Sequence, residues 1–437
     1  MGFFERPDPR LAESADPSLA GAVLAALQRH GVAAALSVVA LACWYASNIL
    51  SGLHVAAATR GALAVAGLQH AVTIVRDRRD VAHVTAANDP DLFFGEGFAE
   101  GSDRLFQLDL TRRYAYGRLA EVLGPKALAL DKMQRAADIA GIARRQLAAL
   151  APSERQATAA FSEGVNAAAR TQPLPVEFRI LMYRPSPWTP QDSLAVSIVA
   201  SLELSDSWHD IFARDAVWRK ASRRCFDSAF PLSDARYDVT LDGGAPRNIL
   251  PASWAECSAS DVVAHLSRRP AIGSNAWAAG ASRTTDGHAL LANDPHLDVT
   301  IPGIWYVVDI RSPVLHAAGA TIPGIPGVVL GHNERVAWSS TNGEMATTGV
   351  FEPGRLDRKR WVTERFGVRF SHDVRAAYYR TAREFGVPDD NDRAKMALVR
   401  WPIYAEREST IATALGLDRA RSIEEALRVL ARYRGSP

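Results

Sequence analysis

The sequence predicts an α+β protein, on two observations about the order of its elements and one about composition. Between residues 91 and 123, Leu92, Phe93, Phe98, Leu105, Phe106, Leu108, Leu110, Leu119 and Val122 recur at helical spacing. After residue 274 the apolar residues fall instead into short runs separated by turn formers, as in half-buried strands. Helices first and strands later stack as layers of helix on sheet. With 437 residues, 48% of them hydrophobic, the chain can bury a large core.

In chain order, the first feature is the lack of any Asp, Glu, Lys or Arg between His30 and Arg60. Residues 31–50 are an uncharged stretch of 20 residues, long enough for a membrane helix, with Trp44 and Tyr45 off-centre as interfacial aromatics. The leader, residues 1–30, is long for a signal peptide, although Ala56, Ala57 and Ala58 would suit cleavage. The expectation is an export anchor over residues 31–58 that places the rest on the periplasmic side of the inner membrane, or exports it. Val72, Ile74 and Val84 predict short strands before the long helix, on which Arg104, Arg112, Arg113 and Arg118 are expected to form a solvated, salt-bridged face. Residues 277–279 and 289–292 read as strands around a turn at Asp286 and Gly287, and residues 304–310 and 328–330 as further strands.

Composition excludes several functions. The net charge of +2, from 50 basic and 48 acidic residues, gives no electrostatic footprint for nucleic acid. Arg144, Arg145, Arg223 and Arg224 are read as solvated faces. Cys43, Cys225 and Cys257 lie far apart without a Cys-x-x-Cys, so no metal cluster is indicated; Cys225 and Cys257 are either a disulfide or two buried thiols. There is no P-loop, no H-E-x-x-H and no G-x-S-x-G, and Glu100 breaks the glycine pattern of Gly95, Gly97 and Gly101.

One string carries more chemistry than the rest. Ile272, Gly273, Ser274, Asn275, Ala276 and Trp277 place a serine directly behind a glycine, and Asn293, Asp294, Pro295 and His296 follow at short spacing. Three more blocks share its order. Residues 72–124 hold Arg76-Asp77, His83, Asp103-Arg104 and Gly117-Arg118-Leu119-Ala120-Glu121. Residues 174–192 hold Pro187-Trp188-Thr189-Pro190, and residues 331–342 run from Gly331-His332-Asn333 to Ala337-Trp338 and Asn342. In order and spacing the four blocks resemble the penicillin acylase family of N-terminal nucleophile hydrolases.

The resemblance implies a fold, a cut and a reaction. The fold would be a four-layer αββα sandwich, two stacked antiparallel sheets covered by helices. The parts would be a small-chain-like region at 61–240, a spacer at 241–273 and the front of the catalytic chain at 274–437. The precursor would cleave itself between Gly273 and Ser274. A serine hydroxyl is a weak nucleophile that needs a base. A serine at a chain start carries its own α-amine, with a pKa of about 7.7–8.0, which can take the hydroxyl proton directly or through one water. Ser274 would be the nucleophile, His296 the position whose backbone helps hold that amine, and Asn342 the position whose main-chain N–H forms half of an oxyanion hole.

The substrate would be a small-molecule acyl amide, such as a penicillin, a cephalosporin side chain or an acyl-homoserine lactone. Leu204 and Leu297 match pocket positions, and both are aliphatic. No cofactor is expected: of the family's calcium ligands only Asp210 has a match, while Ala346 and Gly349 stand where aspartates belong. The family's catalytic chain is longer than residues 274–437, so the fold is expected to be incomplete and the chain inactive alone. The alternative reading is therefore an inactive remnant, or one piece of a split acylase awaiting its C-terminal half.

Overall fold

The computed structural model describes residues 32–53, 57–204, 273–342, 348–354, 356–388, 396–404 and 409–433, with Trp208, Ile211, Arg214 and Trp218. Asp210, Arg223, Arg224, Cys225, Cys257, Ala346, the leader and residues 241–272 of the spacer lie outside the described residues. The chain divides into two compact units, residues 1–62 with 172–185, and residues 63–171 with 186–437.

In the first unit, α1 (Val32–Leu53) lies against a helix that the next segment of the unit contributes. Tyr45 Oη donates to the Ile180 carbonyl at 2.7 Å, and Arg179 Nη1 donates to the Asn48 carbonyl at 3.1 Å and to Ser51 Oγ at 3.0 Å. Among the described residues no helix is long and apolar enough to cross a membrane, so the expected N-terminal membrane helix finds no support. The last turns of α1 carry Asn48 and Ser51, which hold the Arg179 guanidinium.

The second unit is built on one sheet and one long helix. Strands β1 (Thr73–Arg76) and β2 (Ala82–Thr85) form a hairpin, followed by α2 (Asp89–Ala115). The Asn88 side chain caps α2 by accepting from the Asp91 amide at 2.7 Å. The helix stops short of the predicted residue 123, because Gly117 turns the chain with a positive φ of 59°. Shorter helices α3 (Ala120–Leu123), α4 (Leu128–Ala136) and α5 (Ile139–Ala149) follow, then α6 (Pro152–Thr171), α7 (Val176–Ile180, which belongs to the first unit) and α8 (Pro190–Leu204). Helices α2 and α6 approach closely through glycine. A Cβ on Gly97 would meet the Phe161 carbonyl oxygen at 2.1 Å, and one on Gly164 would meet that of Phe94 at 2.0 Å.

Arg112 corrects the reading of a solvated arginine face. It is 7% exposed, bonds Asp109, reaches Asp192 at 3.3 Å and the carbonyls of Ser186 and Pro187, and lies over the Trp188 ring. Two carboxylates and two carbonyls replace the water it gives up. Arg118 does stay half-exposed, paired with Glu121 at 2.8 Å.

The large sheet has six strands in the order β1-β2-β5-β6-β7-β8, with β5 (Tyr306–Arg311), β6 (His316–Thr321), β7 (Leu330–Asn333) and β8 (Ala337–Trp338). Its inner face buries Ala82, Val84, Val308 and Ile310, and Gly95 of α2 sits so close that a Cβ there would meet Val84 at 2.7 Å. Alternation along β5 is strict, as a sheet with one wet face requires. A three-stranded sheet of β9 (Gly349–Phe351), β12 (Glu384–Pro388) and β13 (Met396–Arg400) and a two-stranded pair, β10 (Trp361–Phe366) with β11 (Val374–Tyr379), follow. The last elements are α9 (Thr410–Asp418) and α10 (Ile423–Leu430). The molecule is thus a mixed helix and sheet protein. Among the described residues the second large sheet of the expected sandwich is not assembled: β3 (Gly273–Ala279) and β4 (Leu290–His296) pair only with each other.

Candidate active site

The β3–β4 hairpin carries the serine. Its register sets Gly273 opposite His296, Ser274 opposite Pro295, Asn275 opposite Asp294 and Ala276 opposite Asn293. The hairpin turns where the sequence reading put it, with Gly287 at a φ of 71° and Asp286 Oδ1 accepting from the His288 amide.

Side chains alternate between the two faces of a strand pair. One face therefore presents Asn275, Asp294 and His296 beside Gly273. His296 Nε2 bonds Asp294 Oδ2 at 3.0 Å and lies 3.3 Å from Asn275 Nδ2. The ring lies against the glycine, since a Cβ on Gly273 would sit 3.7 Å from His296 Nδ1. The opposite face presents Ser274 and Asn293. Ser274 thus does not share a face with the histidine, although the two are nearly opposite in register.

Asn293 links the hairpin to the segment just after the large sheet's last strand. Its Nδ2 donates to the Asn275 carbonyl at 2.9 Å and to the Ser340 carbonyl at 3.1 Å. Asn342 stands two residues beyond Ser340, half-buried. A single side chain therefore ties the residue after Ser274 to the segment that ends in Asn342. Leu297 follows β4 directly and is half-buried, whereas Leu204 ends α8 and is 43% exposed. No described contact joins these two leucines.

Sequence reasoning left the Asp294–His296 pair unassigned, because the strand it expected there ended at residue 292; with β4 running to His296, the two residues share a face. The part of Asn293 was not available, because its partner at Ser340 lies 47 residues away. Elsewhere in the second unit, three buried carboxylates hold the turn that leads into β7. Glu100 Oε2 accepts from the Gly324 amide at 2.8 Å, Glu96 from the Gly327 amide at 3.0 Å and Asp418 from the Val328 amide at 3.3 Å. Burial pushes all three well up from the ordinary carboxylate range, Asp418 to about 8. Among the described residues no group of three or more His, Cys, Asp or Glu is placed to hold a metal ion.

Comparison with known proteins sets this geometry in context. The family model for penicillin amidase matches residues 71–437. Penicillin acylase 2 proenzyme from Pseudomonas sp. strain SE83 is 32% identical over 335 residues, covering 71% of this chain and 41% of that protein. Acyl-homoserine lactone acylase QuiP from Pseudomonas aeruginosa is 32% identical over 295 residues, 65% of this chain and 34% of its own length. Penicillin G acylase from Escherichia coli is 26% identical over 360 residues, 67% of this chain and 42% of that one. Among solved structures, thermostable penicillin G acylase from Alcaligenes faecalis aligns at 29% identity and a TM-score of 0.36, covering 40% of this chain and 98% of the aligned one. The chain thus spans less than half the length of these full-length relatives. The match to the family model extends over most of the sequence, and the chain belongs to the penicillin amidase family.

Proposed function

We propose that this chain carries the nucleophile of an acylase that hydrolyses linear amides of the penicillin or acyl-homoserine lactone type, activated by cleavage between Gly273 and Ser274. The observation that carries the reading is the division of the hairpin's faces. His296, bonded to Asp294, faces the Gly273 side, while Ser274 stands on the other face. A serine–histidine–aspartate relay needs the imidazole on the hydroxyl. Here the base for Ser274 is instead the α-amine that cleavage sets free.

The reaction follows from that base. The neutral amine takes the Ser274 hydroxyl proton as the oxygen attacks the substrate carbonyl. The developing oxyanion lies toward the Asn342 main-chain N–H, in a segment that Asn293 holds beside the strand. The amine then returns the proton to the leaving nitrogen, and water releases the acyl group from Ser274. The aliphatic Leu297 beside β4 and the aliphatic Leu204 favour an uncharged acyl chain. The names of the relatives support the two substrate classes.

Purified protein is to be tested for a new N-terminus at Ser274 and for turnover of penicillin G and long-chain acyl-homoserine lactones. Cleavage at Ser274 with turnover that Ser274→Ala abolishes supports the reading. A soluble folded sample with no new terminus, or with turnover that survives Ser274→Ala, overturns it. Cleavage without turnover would make the chain one piece of an acylase that needs a further part.

We also read residues 31–58 as an export signal. No Asp, Glu, Lys or Arg falls between His30 and Arg60, and α1 leaves Val39, Leu41 and Trp44 exposed. A reporter fused after residue 70 should be active outside the cytoplasm, and activity confined to the cytoplasm would refute this.

A further inference from the structure

Strand β2 runs parallel to β5, with Ala82 beside Val308 and Thr85 beside Arg311, and among the described strands this is the one parallel pairing. It joins sequence on the N-terminal side of Gly273–Ser274 to sequence on the C-terminal side. Its inner face is sealed by Val84, Val308 and Ile310, each 1% exposed or less. Its outer face holds His83, Asp309 and His316 from three successive strands. His83 Nδ1 bonds Asp309 Oδ2 at 2.8 Å, and His316 Nε2 bonds Asp309 Oδ1 at 3.1 Å. We propose that His83, Asp309 and His316 form a proton-dependent clasp across this seam, closed while His83 carries a proton and loosened when it loses it.

The charged groups around the clasp single out His83. From the β1–β2 turn, Asp77 Oδ2 lies 3.7 Å from His83 Nε2, so both ring nitrogens face carboxylates. A neutral imidazole has one N–H, and whichever carboxylate it serves, its lone pair then points at the other. The imidazolium gives each a donor. His316 has a different surrounding: Arg311 Nη2 lies 3.0 Å from its Nδ1 and Glu334 Oε1 lies 3.5 Å away, so a guanidinium, and not carboxylates alone, faces that ring.

The pH range follows from the shifts. The hydrogen bond to Asp309 raises His83 above its ordinary value of 6.5. Its stabilisation is therefore complete below 6.5 and lost as pH rises through the raised value. Asp77 is held below its ordinary value, first by the amides of Val81 and Arg79 and to a lesser degree by His83. Its share is present above its ordinary value and lost only as pH falls through the lowered one. The clasp is thus closed in mild acid and opens toward alkaline pH. His83 is 39% exposed in its side chain, so salt weakens the effect.

Its meaning as a contact between two chains rests on cleavage at Gly273–Ser274, but the contact itself does not. The test therefore uses the uncleavable Ser274→Ala chain, so its outcome is independent of the processing assay. Histidine Cε1 proton resonances are followed from pH 5 to 9, and urea unfolding midpoints are taken at pH 6 and 8. The resonance that His83→Gln removes should titrate above 6.5 and move down in Asp77→Asn. The urea midpoint should fall from pH 6 to 8 in the parent more than in His83→Gln at equal m-value, a severalfold larger loss in the folding equilibrium. A His83 that titrates at or below 6.5, or equal pH slopes in parent and His83→Gln, overturns the clasp. If His83→Gln does not fold, the shift of the titrating resonance in Asp77→Asn decides, since that variant keeps the bond to Asp309.

Discussion

Asp294 and His296 stand two residues apart on one face of β4 and bond through Oδ2 and Nε2 at 3.0 Å, while Ser274 occupies the other face of the same hairpin. The pair has the chemistry of a relay without the position of one. His296→Ala, made in the processed enzyme, should therefore lower kcat/KM by less than about a hundredfold. Loss of a histidine that serves as the serine's base costs roughly 10⁴-fold or more. Steady-state kinetics of the variant on penicillin G distinguish the two, and a loss of the larger size would return the base to His296.

Gly273 faces the His296 ring at ordinary contact distance for an added methyl, 3.7 Å, and its φ is not among the positive ones. Gly273→Ala should thus leave the hairpin and the protein's stability within about 0.5 kcal/mol of wild type. Gly273→Val adds a branched side chain against the imidazole and should slow the appearance of the Ser274 terminus, followed by intact mass against time. Equal rates for the two variants would mean that the ring does not guard the bond.

Much of this architecture was legible in the sequence. The helical period of Leu92 to Leu110 and the turn at Asp286 and Gly287 depend on neighbours a few residues away, and both appear where the pattern put them. The burial of Arg112 was not legible, because it depends on Asp192 and Trp188, which reach it only through tertiary packing. The same holds for Asn293, whose value lies in a carbonyl 47 residues along the chain. For the apolar run of residues 31–50, hydropathy reports what the segment lacks, not the partner that Tyr45 and Asn48 find on α7.

Asn293 bonds two carbonyls with one amide nitrogen, at Asn275 and at Ser340. Asn293→Ala removes both, and each bond contributes about 0.5–1.5 kcal/mol. The larger effect should be on catalysis, because the segment ending in Asn342 loses its tie to the serine strand. A tenfold to hundredfold fall in kcat with the fold retained is expected, about 1.4–2.7 kcal/mol of transition-state stabilisation. Circular dichroism and kcat measured on one sample check it, and unchanged kcat would detach Asn342 from the oxyanion.

The close approach of α2 and α6 makes Gly97 a test of the fold itself. A Cβ at that position would lie 2.1 Å from the Phe161 backbone oxygen, which cannot rotate away as a side chain would. Gly97→Ala forces the helices apart, and overpacking of this kind costs about 1–3 kcal/mol. The urea midpoint should fall accordingly, and a variant as stable as wild type would show that the helices have room to separate.

Asp418 is 2% exposed and meets the Val328 amide at 3.3 Å, and burial pushes it up to about 8 from an ordinary value of 3.8. The sign of the linkage is the reverse of that of a salt-bridged aspartate. Below about pH 4 both the folded and unfolded chains hold the proton, and the stabilisation is fully present. As pH rises the unfolded chain ionises first, so stability is lost progressively until the folded group also ionises near pH 8. Glu96 and Glu100, buried on α2 beside the same turn, are raised in the same direction. Wild-type protein should therefore unfold at lower urea as pH rises from 5 to 8. Asp418→Asn keeps an oxygen to accept from Val328 but has no proton to lose, so its midpoint should fall less over that range. If the two proteins show the same pH slope, Asp418 is already ionised in the folded state and the turn before β7 is held by a carboxylate anion.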